Sequence, residues 1–321
     1  MSEGTPWRRI ARSHELMLAV ILAGILAFAG WRMPQFLAWD GQLNLSRQLW
    51  ETALIAMGMT LVVIAGGIDL SVGAIMGLCA IAFGICHQSS QSVGLATVAC
   101  MLTGIGCGAC NGGLIAITRV HPLIVTLATM AAFRGMAEGI SQGASYSRFG
   151  EHFGRAFAGQ GPFGIAVGGW INFALAIVLA TVLSRTRWGR YLRAVGGNEL
   201  AARYAGVPVE RLKFTLYLGM GLLSACATLI SVARFDTAKA DAGRGMELEV
   251  ITAVVLGGTS VFGGSGRIGG TVLGLLLIHE TRLFASRYWR IDELRQIVVG
   301  CLLIGAVAAY QALKREVRRE K

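Results

Sequence analysis

Apolar runs long enough to cross a bilayer decide what this chain can become. The clearest cover residues 16–31, 70–86, 93–118, 165–183, 212–233 and 294–313. About 20 residues of helix, rising about 1.5 Å each, cross roughly 30 Å of hydrocarbon. Shorter or interrupted runs lie at 53–65, 123–140, 250–261 and 268–279, so the expectation is an all-α integral membrane protein with about ten spans. Composition agrees: 54% of the residues are hydrophobic and 15% charged. No water-soluble fold hides that much apolar surface.

The net charge of +11 does not point to nucleic acid, because the basic residues lie between and beyond the apolar runs rather than on one soluble face. Arg8, Arg9 and Arg12 precede the first run, seven basic residues face two acidic ones over 185–213, and five face two over 314–321. By the positive-inside rule, a basic N-terminus (1–15), a loop at 184–211 and a basic tail (314–321) are cytoplasmic, flanking a single transmembrane domain over 16–313. The segments 87–92, 141–164, 234–249 and 281–293 then lie outside, although Arg148, Arg155, Arg282, Arg287 and Arg290 fall in them. A cleaved signal peptide, suggested by Ala27 and Ala29, is disfavoured because the first run is longer than a signal core and its loss would break this topology.

Two stretches interrupt the helical pattern at membrane depth or at its edge. One is Gly66-Gly67-Ile68-Asp69-Leu70-Ser71; the other is the glycine-dense 257–270, with Gly257, Gly258, Gly263 and Gly264. Irregular backbone survives there only where protein or a watery path satisfies it. These residues are candidates for the translocation path or for a helix break. Asp69 either caps the next helix through the amide of Ser71 or Val72, or lends polarity to a path, or both. In 93–118, Gly104, Gly108 and Gly112 share one face for close helix packing, with Asn111 beside them. The seven cysteines, including Cys107 and Cys110, fall within or at the ends of apolar runs and are expected to pack rather than to hold metal.

No G-x-x-x-x-G-K-[ST] phosphate loop occurs, nor G-x-S-x-G or H-E-x-x-H, so neither ATP hydrolysis nor enzymatic chemistry is expected of this chain. Within 184–211, Gly196-Gly197-Asn198 reads as a break and a cap. Residues 199–204 then form a short helix ended by Gly206 and Pro208. Glu199 and Arg203 on that helix would suit a docking knob, against the plainer reading of a basic loop near anionic lipid.

Three ordered stretches, 58–78 (GMTLVVIAGGIDLSVGAIMGL), 194–214 (AVGGNELAARYAGVPVERLKF) and 233–274, resemble the monosaccharide branch of ATP-binding-cassette permeases, which serves ribose, xylose, rhamnose and a furanosyl quorum signal. The resemblance runs from about residue 44 to the last span, departing at His121 and over 142–164. It implies a permease subunit of the vitamin B12 type of fold in the bacterial inner membrane, importing a monosaccharide or similar solute. Its partners would be a cytoplasmic ATPase that hydrolyses the ATP, a second identical or different permease, and a periplasmic sugar-binding protein. The loop 184–211 would dock into the ATPase through Gly196, Gly197, Asn198, Glu199, Ala202, Arg203 and Gly206. No cofactor is expected on this chain. The rival is a self-sufficient secondary transporter or channel, which would want more intramembrane acid than Asp69 and Glu138 and no docking helix.

Overall fold

The computed structural model describes residues 14–289. Arg8, Arg9 and Arg12, the run 294–313 with Cys301, and the tail 314–321 lie outside the described residues. Helix α1 (His14–Arg32) leads through a 3-10 turn (Pro34–Leu37) to α2 (Trp39–Ser46) and α3 (Leu49–Ile64). After the first break come α4 (Val72–Ser90), α5 (Val93–Thr118) and α6 (Pro122–Ser141). A short amphipathic helix, α7 (Glu151–Ala158), precedes α8 (Val167–Arg185), α9 (Arg187–Gly197) and α10 (Glu199–Tyr204). The described chain closes with α11 (Val209–Phe235), α12 (Met246–Leu256) and α13 (Ile268–Trp289).

Helix follows from the medium, since hydrocarbon offers no partner for backbone N–H and C=O and a helix pairs them all within one segment. Seven described helices are long and apolar enough to cross a membrane, or eight if α2 and α3, bent 56° apart, count as one span. Burial grades them by position. Every residue of α3 except Trp50 is buried, which makes it the central helix. Helices α8, α11, α12 and α13 pack against it, while α1, α5, α6 and the far side of α8 keep broad apolar faces outward.

Helices α5 and α11 run antiparallel and close together. A Cβ on Gly104 would meet the carbonyl of Gly221 at 2.5 Å, one on Gly108 that of Tyr217 at 2.5 Å, and one on Gly112 that of Phe214 at 2.8 Å. The small-residue face is therefore a backbone-to-backbone seam. The six described cysteines are free thiols.

Two expectations need correction. The run 250–261 is not a full-length helical span, because α12 has 11 residues and stops at Leu256. At about 1.5 Å per residue that is roughly half the hydrocarbon thickness. The segment 281–293 is not an outer loop as far as it is described, because α13 continues through Thr281 to Trp289. Arg282 stays near the bundle by pairing with Glu249 of α12. The stretch 141–164 is also structured: Tyr146–Ser147 pairs antiparallel with Thr237–Ala238, and α7 packs Phe153 on Phe83, ring centroids 5.0 Å apart.

Candidate functional site

Helix α3 ends in a Schellman turn. The amide of Gly67 donates to Val62 O and that of Gly66 to Val63 O, both at 2.9 Å, with Gly66 at φ +80°. A left-handed residue is required at this point, and glycine adopts it without Cβ strain. Helix α12 ends the same way: Thr259 N–H reaches Val254 O, Gly258 N–H reaches Val255 O, and Gly258 has φ +85°. Both interruptions foreseen in the sequence are thus built alike.

Beyond the first turn, Asp69 is fully buried and its Oδ1 accepts the Ser71 amide at 2.9 Å and the Ser71 hydroxyl at 2.6 Å. The Ser71 hydroxyl in turn accepts from Asn111 Nδ2 at 2.8 Å, and Thr126 of α6 donates to Ile68 O at 3.1 Å. A Cβ on Gly67 would lie 2.6 Å from the Tyr217 hydroxyl. The break between α3 and α4 is therefore wrapped by α5, α6 and α11 through polar groups. Tyr217 and Thr126 were not foreseen, because nothing in their own apolar runs marks them.

After the second turn, residues 259–267 fold back on themselves. Ser260 N–H donates to Ser265 O, and Gly264 N–H donates to Ile64 O at 2.8 Å, pairing a C-terminal carbonyl of α3. Gly257 lies against Gly270, whose carbonyl is 2.6 Å from the position of a Gly257 Cβ. A polar hollow of about 500 Å³ opens here, lined by His14, Glu15, Arg193, Ser265 and Arg267 among others.

Thr186 caps α9, and Asn198 caps α10 by accepting the Ala201 amide at 2.9 Å. Gly206 N–H to Arg203 O and Val207 N–H to Ala202 O close α10, which covers the six residues expected. The charged residues are turned to one another. Lys213 reaches Glu199 at 2.6 Å, Arg203 reaches Glu210 at 2.6 Å, and Ala202 is buried. Leu200 and Tyr204 are exposed instead, at 62% and 84%, a surface the sequence reading missed by favouring charge.

Of the residues singled out in the sequence, Gly66, Gly196, Gly263 and Gly264 come together. A Cβ on Gly196 would collide with Ile64 O and lie 2.5 Å from Gly264 N, and one on Gly263 would lie 2.6 Å from Gly196 O. Gly66 faces Gly196 Cα at 3.8 Å, measured from its Cβ position. Asp69 with Ser71, and Glu199 with Arg203, stand as separate clusters on either side of this junction. Another cavity of about 410 Å³ between α3, α8 and α13 is lined by Trp50, Met57, Trp170, Phe173 and Leu275 among others, and offers almost no polar group.

Membrane-length helices around a central helix buried along all but one residue are, among the described residues, the build of a multi-span membrane protein. The comparisons agree. A family model described as "Branched-chain amino acid transport system / permease component" matches residues 42–307. The ribose import permease protein of Bacillus subtilis (strain 168) is 41% identical over 265 residues, 82% of this chain and 80% of that one. The ribose import permease protein of Escherichia coli (strain K12) is 36% identical over 264 residues, covering 81% and 82%. The autoinducer 2 import system permease protein of Escherichia coli O9:H4 (strain HS) is 36% identical over 305 residues, covering 93% and 92%. No solved structure gives a significant match. The chain belongs to this family of transport-system permease components and is the permease subunit of an importer.

Proposed function

We propose that the chain carries a monosaccharide or sugar-like solute across the bacterial inner membrane, driven by ATP that a separate cytoplasmic ATPase hydrolyses. The relatives are named for ribose and for autoinducer 2, which supports a small polyhydroxylated solute. The full chain makes ten crossings of the vitamin B12 permease type, one of them completed by the half-length helix α12 that ends beside His14, with both termini and the loop 184–211 in the cytoplasm. It pairs with a second permease and receives solute from a periplasmic binding protein. His14, the loop 259–267 and α10 lie at one end of the bundle, the end where the sequence concentrates basic charge, which supports that orientation.

The observation that carries the reading is α10, a capped six-residue helix in a basic loop that turns Leu200 and Tyr204 outward. A chain without a phosphate loop needs an outside source of energy, and a short rigid helix with an apolar crest suits a groove on a partner. Burying one such side chain is worth about 1.5–3 kcal/mol. The test is co-purification of the ATPase in detergent. Leu200→Ala with Tyr204→Ala should lower it at least tenfold by the roughly 1.4 kcal/mol-per-decade rule, with normal membrane levels. Full co-purification and full uptake by the double variant would remove α10 from the contact and restore the secondary carrier.

A further inference from the structure

We propose that Gly196 is the joint through which displacement of α10 reaches the interrupted membrane helices, an inference that rests on the docking role proposed for α10. Only Gly197 and Asn198 separate Gly196 from α10, and both helices hold Asn198. Its amide donates to Ala194 O at 3.0 Å, and its side chain accepts from Ala201 at 2.9 Å. The segment from α9 to α10 therefore has little slack.

On its other side Gly196 presses on backbone. It lies over the hydrogen bond that joins Ile64 O to Gly264 N, and the position of its missing side chain is taken by those two atoms. Gly263 closes the contact from the second break. Side chains at a contact change rotamer and absorb a push; backbone in van der Waals contact does not, because packed protein is nearly incompressible. Ile64 is the last residue of the most buried helix, four residues before Ile68 and five before the buried Asp69. Gly264 follows the end of α12 within the same turn-rich loop. Displacement of α10 is thus handed to both half-helix ends at one point.

Gly106, on the outward face of α5 and outside the docking loop, supplies an internal control, because a Cβ there meets nothing within 4 Å. The experiment uses the assembled importer in proteoliposomes loaded with ATP, with ribose as the probe solute, and reads ATPase co-purification and ribose moved per ATP hydrolysed. Gly196→Ala should keep the parent's co-purification and lower ribose per ATP roughly tenfold, while Gly106→Ala stays with the parent. Parent-like ribose per ATP in Gly196→Ala overturns the joint. Failure of the parent to bind the ATPase overturns the docking reading itself, so the two failures are distinguishable.

Where Gly196→Ala does not accumulate in the membrane, distances decide. Spin labels at the exposed positions Ala201 and Ser265, in a cysteine-replaced background that retains uptake, report the joint directly. Their separation should hold between nucleotide-free and ATP-trapped complexes, while that between Ala201 and Gln91, at the opposite end of α4, changes. Equal changes in both separations overturn the proposal.

Discussion

Glu51 and Arg234 form a paired charge inside the bundle, and removing one partner should cost far more than removing both. Glu51, in the first turn of α3, is 3% exposed. Arg234, in the last turn of α11, meets it with two hydrogen bonds, Nε to Oε1 at 2.9 Å and Nη2 to Oε2 at 3.1 Å. Its guanidinium also stacks 3.9 Å from the Phe235 ring centroid. Glu51→Gln keeps the shape and strands a cation where water hardly enters, at a cost of about 3–5 kcal/mol. Spread over a domain of this size, that lowers the melting midpoint on the order of 10 °C. Glu51→Leu combined with Arg234→Met removes both charges and should melt near the parent, because a buried pair and an apolar pair of similar volume are nearly equal in stability. The assay is heating in mild detergent followed by size-exclusion chromatography read by protein fluorescence. A double variant whose loss equals the sum of the losses of Glu51→Leu and Arg234→Met made singly would refute the coupling, and so would a Glu51→Gln variant that melts with the parent.

Three further outcomes are expected. Asp69→Asn keeps an acceptor for the Ser71 amide and should preserve expression and uptake, whereas Asp69→Leu strands the amide and hydroxyl of Ser71 at about 1–3 kcal/mol each and should impair both; equal, full uptake by the two would remove the capping role. Gly108→Ala places a methyl 2.5 Å from Tyr217 O and should cost about 1–3 kcal/mol in detergent stability, while Gly106→Ala, with nothing within 4 Å, should be neutral; identical melting of the two variants would contradict the close seam. A membrane-impermeant reagent on intact cells should modify a cysteine at Gln91 and spare one at Asn198, and the reverse pattern would invert the orientation.

Most of the helices were legible because a bilayer forces one solution on any long apolar run, and 93–118 falls on α5 at both ends. Where the chain departs from regular helix, the sequence marked the place but not the geometry. Glycine density flagged 257–270, yet only the turn at Gly258 shows that α12 stops at Leu256 instead of spanning. The pairing of Glu51 with Arg234 joins residues 183 apart, and no local pattern encodes it. On α10 the charges looked like the docking surface because they are the polar residues of a short helix. Their partners, Glu210 and Lys213, lie on the next helix and draw them inward, which leaves Leu200 and Tyr204 as the exposed crest.

The two ends of the bundle are held by different kinds of contact, and the difference bears on where a rearrangement starts. At the end bearing Gln91, charge pairs cross-tie the helices: Glu51 with Arg234, Glu249 with Arg282 and Glu138 with Arg244, together with the short ribbon from Tyr146 to Ala238. Separating the buried ones leaves uncompensated charge, at about 3–5 kcal/mol for each pair broken. At the end bearing α10, the pairs Lys213–Glu199, Arg203–Glu210 and Arg267–Glu15 each have an exposed partner, and α3 meets the loop after α12 through the Ile64 to Gly264 hydrogen bond and glycine backbones in contact. A backbone hydrogen bond contributes about 0.5–1.5 kcal/mol net. The end bearing Gln91 is therefore the more firmly tied, and a displacement that enters at α10 and passes through the Gly196 contact, which moves as one unit, meets the weaker ties between helices.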